Sequence, residues 1–196
     1  LEGGYVGHTS AAARSLTDPA VHGQGPGYFD HWLRVPHPEV VGAKGFGQAL
    51  RAAIDKAGGA DAVLGIFVET LQERTGRVLD DAAAQELAAV RRETGVPFAF
   101  AETAGAYFRT GNGAFSADGL ASGANGVDPD AMFWWAGGQL GFVHVQPQYF
   151  VATPLTLVSP GDGDELSLIR AQHQLRAARN VDMAQATQRL GDAIAP

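Results

Sequence analysis

The sequence predicts an α/β fold, a three-layer sandwich in which helices cover a mainly parallel sheet. Residues 62–69, AVLGIFVE, form an apolar run with the length of a buried strand, bounded by Asp61 and a polar turn. A helix-period segment follows at 80–93 and stops at Gly95. A second apolar run occupies 98–102. Strand, helix and strand in this order make a βαβ unit, whose two strands pair in parallel.

Further elements are predicted on both sides of this unit. The apolar residues 131–135 form a third strand, in which the adjacent rings of Trp134 and Trp135 point to opposite faces of the sheet. A further apolar run lies at 140–145, and residues 149–158 are strand-like but limited to an edge by a proline. Helices are predicted to begin near Thr9 or Ser10 and to occupy 45–56, 164–179 and 181–194.

The chain divides into two predicted parts. Residues 1–160 form the α/β core, which contains all the predicted strands. Residues 161–196 supply two helices with apolar positions three and four residues apart. These helices either pack on the core or begin a truncated small domain.

Composition and charge disfavour several classes of function. With 196 residues and 45% hydrophobic content, the chain can build one domain with a core of its own. A net charge of -7 and the lack of a basic run argue against nucleic-acid or anionic-membrane binding. The chain has no cysteine, and no apolar stretch approaches the ~20 residues of a membrane span. These features predict a soluble cytoplasmic protein.

Histidines and glycines suggest two further kinds of site, and neither is favoured. His22, His31 and His37 lie on a Pro- and Gly-rich stretch, but their spacings fit no compact ligand pattern, so we predict no metal site. The glycine cluster at 42–47 lacks the Gly-Lys-Ser/Thr ending of a phosphate loop and is predicted to be a linker.

Carboxylates follow two of the predicted strands. Glu69, Glu73 and Glu102 come at strand ends, and the carboxyl ends of parallel strands meet at one edge of a sheet, where ligands bind. A hydrolytic carboxylate pair is one interpretation. The alternative is that these are strand-end carboxylates without catalytic work, which are the commoner case.

Four short motifs follow one another along the chain, and together they indicate a family. They are VETLQERTG at 68–76, FAET at 100–103, YFRTG at 107–111 and DPD at 128–130. In order and spacing they resemble the large domain of class III, ornithine-aminotransferase-like, pyridoxal-phosphate enzymes. Tyr5 lies in a segment similar to the family's Tyr-His-Gly, whose ring stacks on the cofactor. The resemblance implies a fold-type I large domain.

The family's covalent anchor for the cofactor is missing. Schiff-base chemistry needs a lysine amine, because the internal aldimine joins that nitrogen to the cofactor aldehyde. Lys44 and Lys56 are the only lysines, and both precede the motif series. The family lysine position falls on Ala136 or Gly137, and neither side chain can form an imine.

Other cofactor contacts of the family are also replaced. The family aspartate that keeps the pyridine nitrogen protonated falls on Ala101, followed by Glu102. Val6 stands at the family histidine, and Arg74 replaces a glycine of the first turn. The resemblance therefore implies a degenerate domain with no catalytic residue, for which no cofactor is expected although pyridoxal phosphate is the cofactor of the family.

Three functions remain open for such a chain. The favoured one is a non-catalytic structural or interaction module that forms a homodimer or belongs to a larger protein, because a half-family domain would expose Trp134, Phe142 and the 168–175 helix face. The second is a diverged subunit that is active only with an intact aminotransferase partner. The third is small-ligand binding in the vacated pocket, with the polar anchors Tyr5, Glu69, Glu102 and Arg109.

Overall fold

The structure is a computed structural model of the chain. It describes residues 1–7, 10–22, 32–111, 113–120, 127–135, 140–154, 156 and 164–195.

Among these residues, four strands form one sheet. They are β1 (Ile66–Glu69), β2 (Phe98–Glu102), β3 (Ala131–Trp135) and β4 (Gly141–Val145), and they lie side by side in that order. The first three are parallel, and β4 runs antiparallel to β3. The predicted α/β fold with a mainly parallel sheet is confirmed.

In the described parts of the chain, five α-helices accompany the sheet. They are α1 (Ala11–Leu16), α2 (Pro38–Ala57), α3 (Asp81–Thr94), α4 (Glu165–Arg179) and α5 (Met183–Ile194). Short 3-10 turns lie at Ala60–Ala62, Ser116–Gly119 and Pro147–Tyr149. All of the predicted helices are present.

The βαβ unit forms because its local signals agree with each other. The Asp80 side chain accepts a hydrogen bond from the Ala83 amide and caps α3, and Gly95 ends the helix in a left-handed conformation with φ 75°. The small and apolar face of α3 is buried, including Ala83, Leu87 and Val90. This face shares one core cluster with α2 and with the apolar side chains of β1 and β2.

The predicted start of β1 is wrong. β1 begins at Ile66 instead of residue 62, because Ala60–Ala62 form a 3-10 turn and the Leu64 side chain is 91% exposed. An apolar run alone does not distinguish the residues of a strand from the segment that leads into it.

The predicted linker at 42–47 lies inside a helix. α2 begins at Pro38, where the imidazole of His37 accepts the Glu39 amide, whereas the sequence predicts a start near residue 45. Gly42 has non-helical angles (φ 74°, ψ 161°), so the glycine signal marks a kink rather than a linker.

The tryptophan pair is divided between the two faces of the sheet as predicted. Trp134 is buried, whereas Trp135 is 53% exposed. Trp134 stacks on Phe142 of the neighbouring strand and contacts the rings of Tyr107 and Phe115 edge-on. Trp134 is therefore part of a second, small core, and the prediction that it would be exposed is wrong.

The segment after β4 differs from its prediction. Pro147–Tyr149 form a 3-10 turn, and the described residues of 149–158 contain no strand. Within the described parts of the chain, no helix has the length and apolarity needed to cross a membrane.

Candidate functional site

The candidate site lies at the carboxyl ends of β1 and β2. Glu69 is the last residue of β1 and Glu102 the last residue of β2. In an open α/β sheet this edge is where ligands bind. Neighbouring parallel strands therefore bring the two predicted carboxylates to one edge, but each is held by its own set of partners.

Glu69 is nearly fully buried, with 4% of the residue exposed. Its Oε2 accepts the Tyr5 amide at 2.6 Å, and its Oε1 accepts the Thr103 hydroxyl at 3.1 Å and the Glu73 amide at 3.4 Å. Burial raises the pKa of this carboxyl, and the three hydrogen bonds oppose that effect without cancelling it. Glu69 thus ties the N-terminal segment and the loop after β2 to the end of β1.

Glu102 is fully buried and stabilises the loop after β2 through hydrogen bonds. Its carboxylate accepts the amides of Ser116 and Ala117 at 3.1 and 2.9 Å. The Ser116 hydroxyl lies 2.8 Å from Glu102 Oε2 and 2.5 Å from the Thr70 hydroxyl. Because a serine has one proton, donating it to Glu102 leaves the oxygen free to accept from Thr70. These contacts make Glu102 a structural anchor.

A cationic side chain packs on the Tyr5 ring. The Arg74 guanidinium lies 4.3 Å from the ring centroid, in a cation–π geometry. His22 contacts the same ring edge-on, with the two centroids 6.0 Å apart. Tyr5 itself is 9% exposed. The resemblance assigns a family glycine to the position of Arg74, whose side chain covers the ring here.

Arg109 lies at the surface. Its Nη1 donates to the Thr103 carbonyl at 3.3 Å. The Arg109 side chain is therefore hydrogen-bonded to the backbone of Thr103, the residue whose hydroxyl contacts Glu69. Of the four predicted anchors, Glu69 lines the cavity beside β1.

This cavity has a volume of about 380 Å³ and lies beside β1. Its wall includes Val6, Glu69 and Ala101, together with apolar side chains of β1 and of the second half of α2. Val6 and Ala101, to which the resemblance assigns two of the family's cofactor residues, thus line the same cavity. Trp32 and Arg34, which the sequence did not indicate, also line it.

The described residues do not fit pyridoxal phosphate. Ala101, to which the resemblance assigns the family aspartate, is a buried methyl group, which cannot hold a pyridinium proton. The Tyr5 ring is covered by Arg74. The predicted lysine positions, Ala136 and Gly137, lie outside the described residues.

Histidines do not assemble a metal site in the described ranges. No group of three metal-ligating side chains occurs there. His37 is fully buried as the cap of α2, His22 contacts Tyr5, and His31 lies outside the described residues.

Comparison with solved structures shows the fold of transaminases. The chain is similar to a transaminase from the marine bacterium Virgibacillus, with a TM-score of 0.81 and 21% identity over 96% of this chain and 44% of that chain. It is also similar to a thermostable (S)-enantioselective omega-transaminase from Thermomicrobium roseum, with a TM-score of 0.74 and 21% identity over 89% of this chain and 42% of that chain. No protein-family model and no curated protein matches the sequence. The chain thus has the transaminase fold over less than half the length of these structures.

Proposed function

We propose that this chain is an aminotransferase-fold module that does not transaminate by itself and that acts through association with protein. The observation that supports it best is made at the ends of β1 and β2. Ala101 presents a buried methyl group where the family needs a carboxylate, and Arg74 covers the ring of Tyr5. Both changes remove interactions that a pyridine ring would use.

The position of the lysines supports the same proposal. Lys44 and Lys56 are exposed on α2, and α2 precedes the strands that form the site. An imine formed at either amine would be a surface adduct. Such an adduct would lack the partners that turn the cofactor into an electron sink.

A reduction experiment tests the absence of transamination. The chain is mixed with pyridoxal phosphate, reduced with borohydride and mapped by peptide mass spectrometry, while amino-donor turnover is measured in parallel. We expect no turnover, and any label to be substoichiometric and to be lost in the matched variants Lys44→Arg and Lys56→Arg. A stoichiometric adduct on one lysine together with turnover would refute the proposal.

Apolar side chains on the C-terminal helices support the association. Leu168 and Ile169 of α4 are 45% and 50% exposed, and Leu190 and Ile194 of α5 are 61% and 72% exposed. Exposed apolar surface of this kind is typical of a contact with protein. The favoured assembly is a homodimer.

The alternative assembly contains an intact aminotransferase subunit that supplies the missing lysine. Native mass measurement after a pull-down separates the two. A stoichiometric aminotransferase in the recovered complex would favour this helper-subunit function, whereas a self-associating species without cofactor favours the homodimer.

The cavity beside β1 favours a second function, the binding of a small molecule. Val6 and Ala101 replace polar family residues, so the space they line is apolar where the family's site is polar. A volume of about 380 Å³ lies within the ~300–1,000 Å³ of small-molecule pockets. Saturable binding of a small apolar probe at one site per chain tests this function.

A further inference from the structure

β4 forms one edge of the sheet, and the structure describes no strand on its outer side. The strand pairs with β3 in a continuous register of five residue pairs, so no bulge interrupts it. Its sequence, GFVHV, contains no proline, lysine, arginine or carboxylate. Edge strands are normally protected from pairing with another chain by one of these features. β4 therefore keeps an edge that can accept a further strand.

The hydrogen-bond register shows which backbone groups face this edge. The Gln146 amide donates to the Asp130 carbonyl at 2.9 Å. Because bonded residues alternate along an antiparallel pair, the backbone groups of His144 and Phe142 also point to β3. The outer edge therefore carries the amides and carbonyls of the residues between them, which are Gly141, Val143 and Val145.

The side chains beside this edge are apolar and accessible. Val143 is 72% exposed and Trp135 is 53% exposed. Both lie on the face of the sheet opposite to that of Phe142, since side chains alternate along a strand. Gly141 has no side chain, and the Trp135 ring fills the space above it, 2.6 Å from where a Cβ would lie. An apolar strand along this edge would cover Val143 and meet the Trp135 ring.

A second copy of β4 fits this edge. When two such strands run antiparallel about a two-fold axis at Val143, all residues of the strand overlap, and Gly141 lies opposite Val145 of the second copy. Each residue whose backbone points outward then faces another of the same kind, and each such pair exchanges two hydrogen bonds. The contact is isologous, so it uses both outer edges and closes at two copies.

α4 lies on the other face of β4. Its Ala171 shares a buried apolar cluster with Trp134, on which Phe142 of β4 stacks. The two-fold axis of an antiparallel strand pair is perpendicular to the sheet, so both copies of α4 lie on the same side of the joined sheet. Leu168 and Leu175, about one turn before and after Ala171, are 45% and 42% exposed. This apolar surface would extend the contact between the strands.

We propose that two copies of this chain pair antiparallel through the outer edges of β4, with the two-fold axis at Val143, and so form one continuous sheet. This inference rests on the proposed homodimer and assigns its interface. The backbone of β4 supplies the hydrogen bonds, and the exposed apolar side chains of α4 flank them.

Single cysteines test the register of the pairing, because the chain contains no cysteine of its own. At the two-fold axis the Cα atoms of the two copies of Val143 lie about 5.5 Å apart, which suits a disulfide. Val145 lies two residues further along the same edge, so its two copies are roughly 14 Å apart. We expect mild oxidation to link Val143→Cys into a covalent dimer, seen on a non-reducing gel, and to leave the matched control Val145→Cys unlinked.

Sedimentation equilibrium measures the strength of the contact. Val143→Pro removes an outward amide without breaking a hydrogen bond to β3, so the dimer should weaken at least tenfold. Val143→Lys places a charge at the edge and repeats the test if the proline variant does not fold, as judged by circular dichroism. Gln148→Lys, in the exposed turn after β4, adds the same charge and should leave the dimer unchanged.

The outcomes separate the assembly from its interface. If the wild-type chain sediments as a monomer at micromolar concentration, the homodimer and the β4 interface are both wrong. If the chain is a dimer but Val143→Cys and Val145→Cys cross-link alike, or Val143→Lys weakens it no more than Gln148→Lys, the homodimer stands and the pairing through β4 is wrong.

Discussion

Glu69 and Asp130 are two buried carboxylates whose surroundings shift their pKa in opposite directions. Burial raises the pKa of Glu69. Burial also favours a higher pKa for Asp130, but two hydrogen bonds from Arg91, at 2.7 and 2.5 Å, and one from the Phe98 amide outweigh it, so its pKa is lowered. The two residues therefore make opposite contributions to the pH dependence of folding.

For Glu69 we predict that removing the charge changes the pH dependence of the free energy of unfolding. Because its pKa is higher in the folded than in the unfolded chain, its contribution to stability is fully present below the ordinary value of 4.5 and is lost as the pH rises through the raised value. In Glu69→Gln this loss is absent. The free energy of unfolding of the variant should therefore gain on that of the wild type as the pH rises through this window.

Urea unfolding at a series of pH values measures the effect. Hydrogen bonds lost to the amide shift the variant by an amount that does not depend on pH, so the slope is the observable. The exposed neighbour in Glu73→Gln is the control and should run parallel to the wild type. A Glu69→Gln curve that is also parallel would contradict the raised pKa.

The pair formed by Asp130 and Arg91 predicts a loss of stability at neutral pH. Asp130 is 3% exposed, and its carboxylate joins α3 to the start of β2 through Arg91 and the Phe98 amide. Asp130→Asn should lower the free energy of unfolding at neutral pH by about 1.5–3 kcal/mol, since it removes a hydrogen-bonded charge. This difference from the wild type should shrink as the pH falls through the lowered pKa of the native residue. The exposed Asp128 offers a matched control, because Asp128→Asn should change the free energy by less than about 0.5 kcal/mol.

At the level of elements, the sequence predicts best those segments whose limits are set by nearby residues. The bounds of β2 are predicted to the residue, because it is preceded by a proline and ends in a carboxylate. Those of α3 are predicted to within one residue at each end, because Asp80 and Gly95 cap it. The start of α2 was missed because the run of prolines before it masks the cap at His37. The start of β1 was missed because strand pairing with β2, a long-range contact, decides it.

The loop between β2 and the 3-10 turn at 116–119 is close-packed around Gly105. A Cβ at this position would lie 2.3 Å from Ser116 Oγ and 2.4 Å from Glu102 Oε2, closer than real contacts allow. Tyr107 and Phe108 in the same loop adopt positive φ angles of 62° and 61°. This conformation is unfavourable for residues other than glycine, so the contacts of Glu102 must stabilise the loop against it.

We therefore predict that Gly105→Ala destabilises the fold by about 1–3 kcal/mol, as overpacking does. The same exchange at Gly191 in α5 is the control, since a Cβ there meets no atom within 4 Å. Gly191→Ala should be neutral or stabilise by up to ~1 kcal/mol, because glycine is unfavourable within a helix. Thermal unfolding of both variants measures the difference, and equal effects would show that the loop is not packed as described.

For the molecule as a whole, the sequence predicted the location of the candidate site better than its chemistry. Strand order alone brings Glu69 and Glu102 to one edge of the sheet. Their hydrogen-bond partners, Thr103 and Ser116, and the cavity wall with Trp32, depend on packing between segments far apart in sequence. No local pattern records such contacts, so the hydrogen bonds and the cavity wall at this edge could not be predicted.

Self-association is the last prediction, and it concerns the exposed apolar side chains of α4 and α5. With Trp134 already buried inside one chain, the exposed apolar side chains of these two helices carry the argument. We expect sedimentation equilibrium at micromolar concentration to show a homodimer. In Leu168→Asp, a charge would have to be buried at the contact, so the dimer should weaken at least tenfold, which is about 1.4 kcal/mol. The exposed polar residue Gln174 on the same helix provides the control, and Gln174→Asp should leave the dimer intact. A wild-type chain that sediments as a monomer, or equal weakening in the two variants, would exclude this surface as the interface.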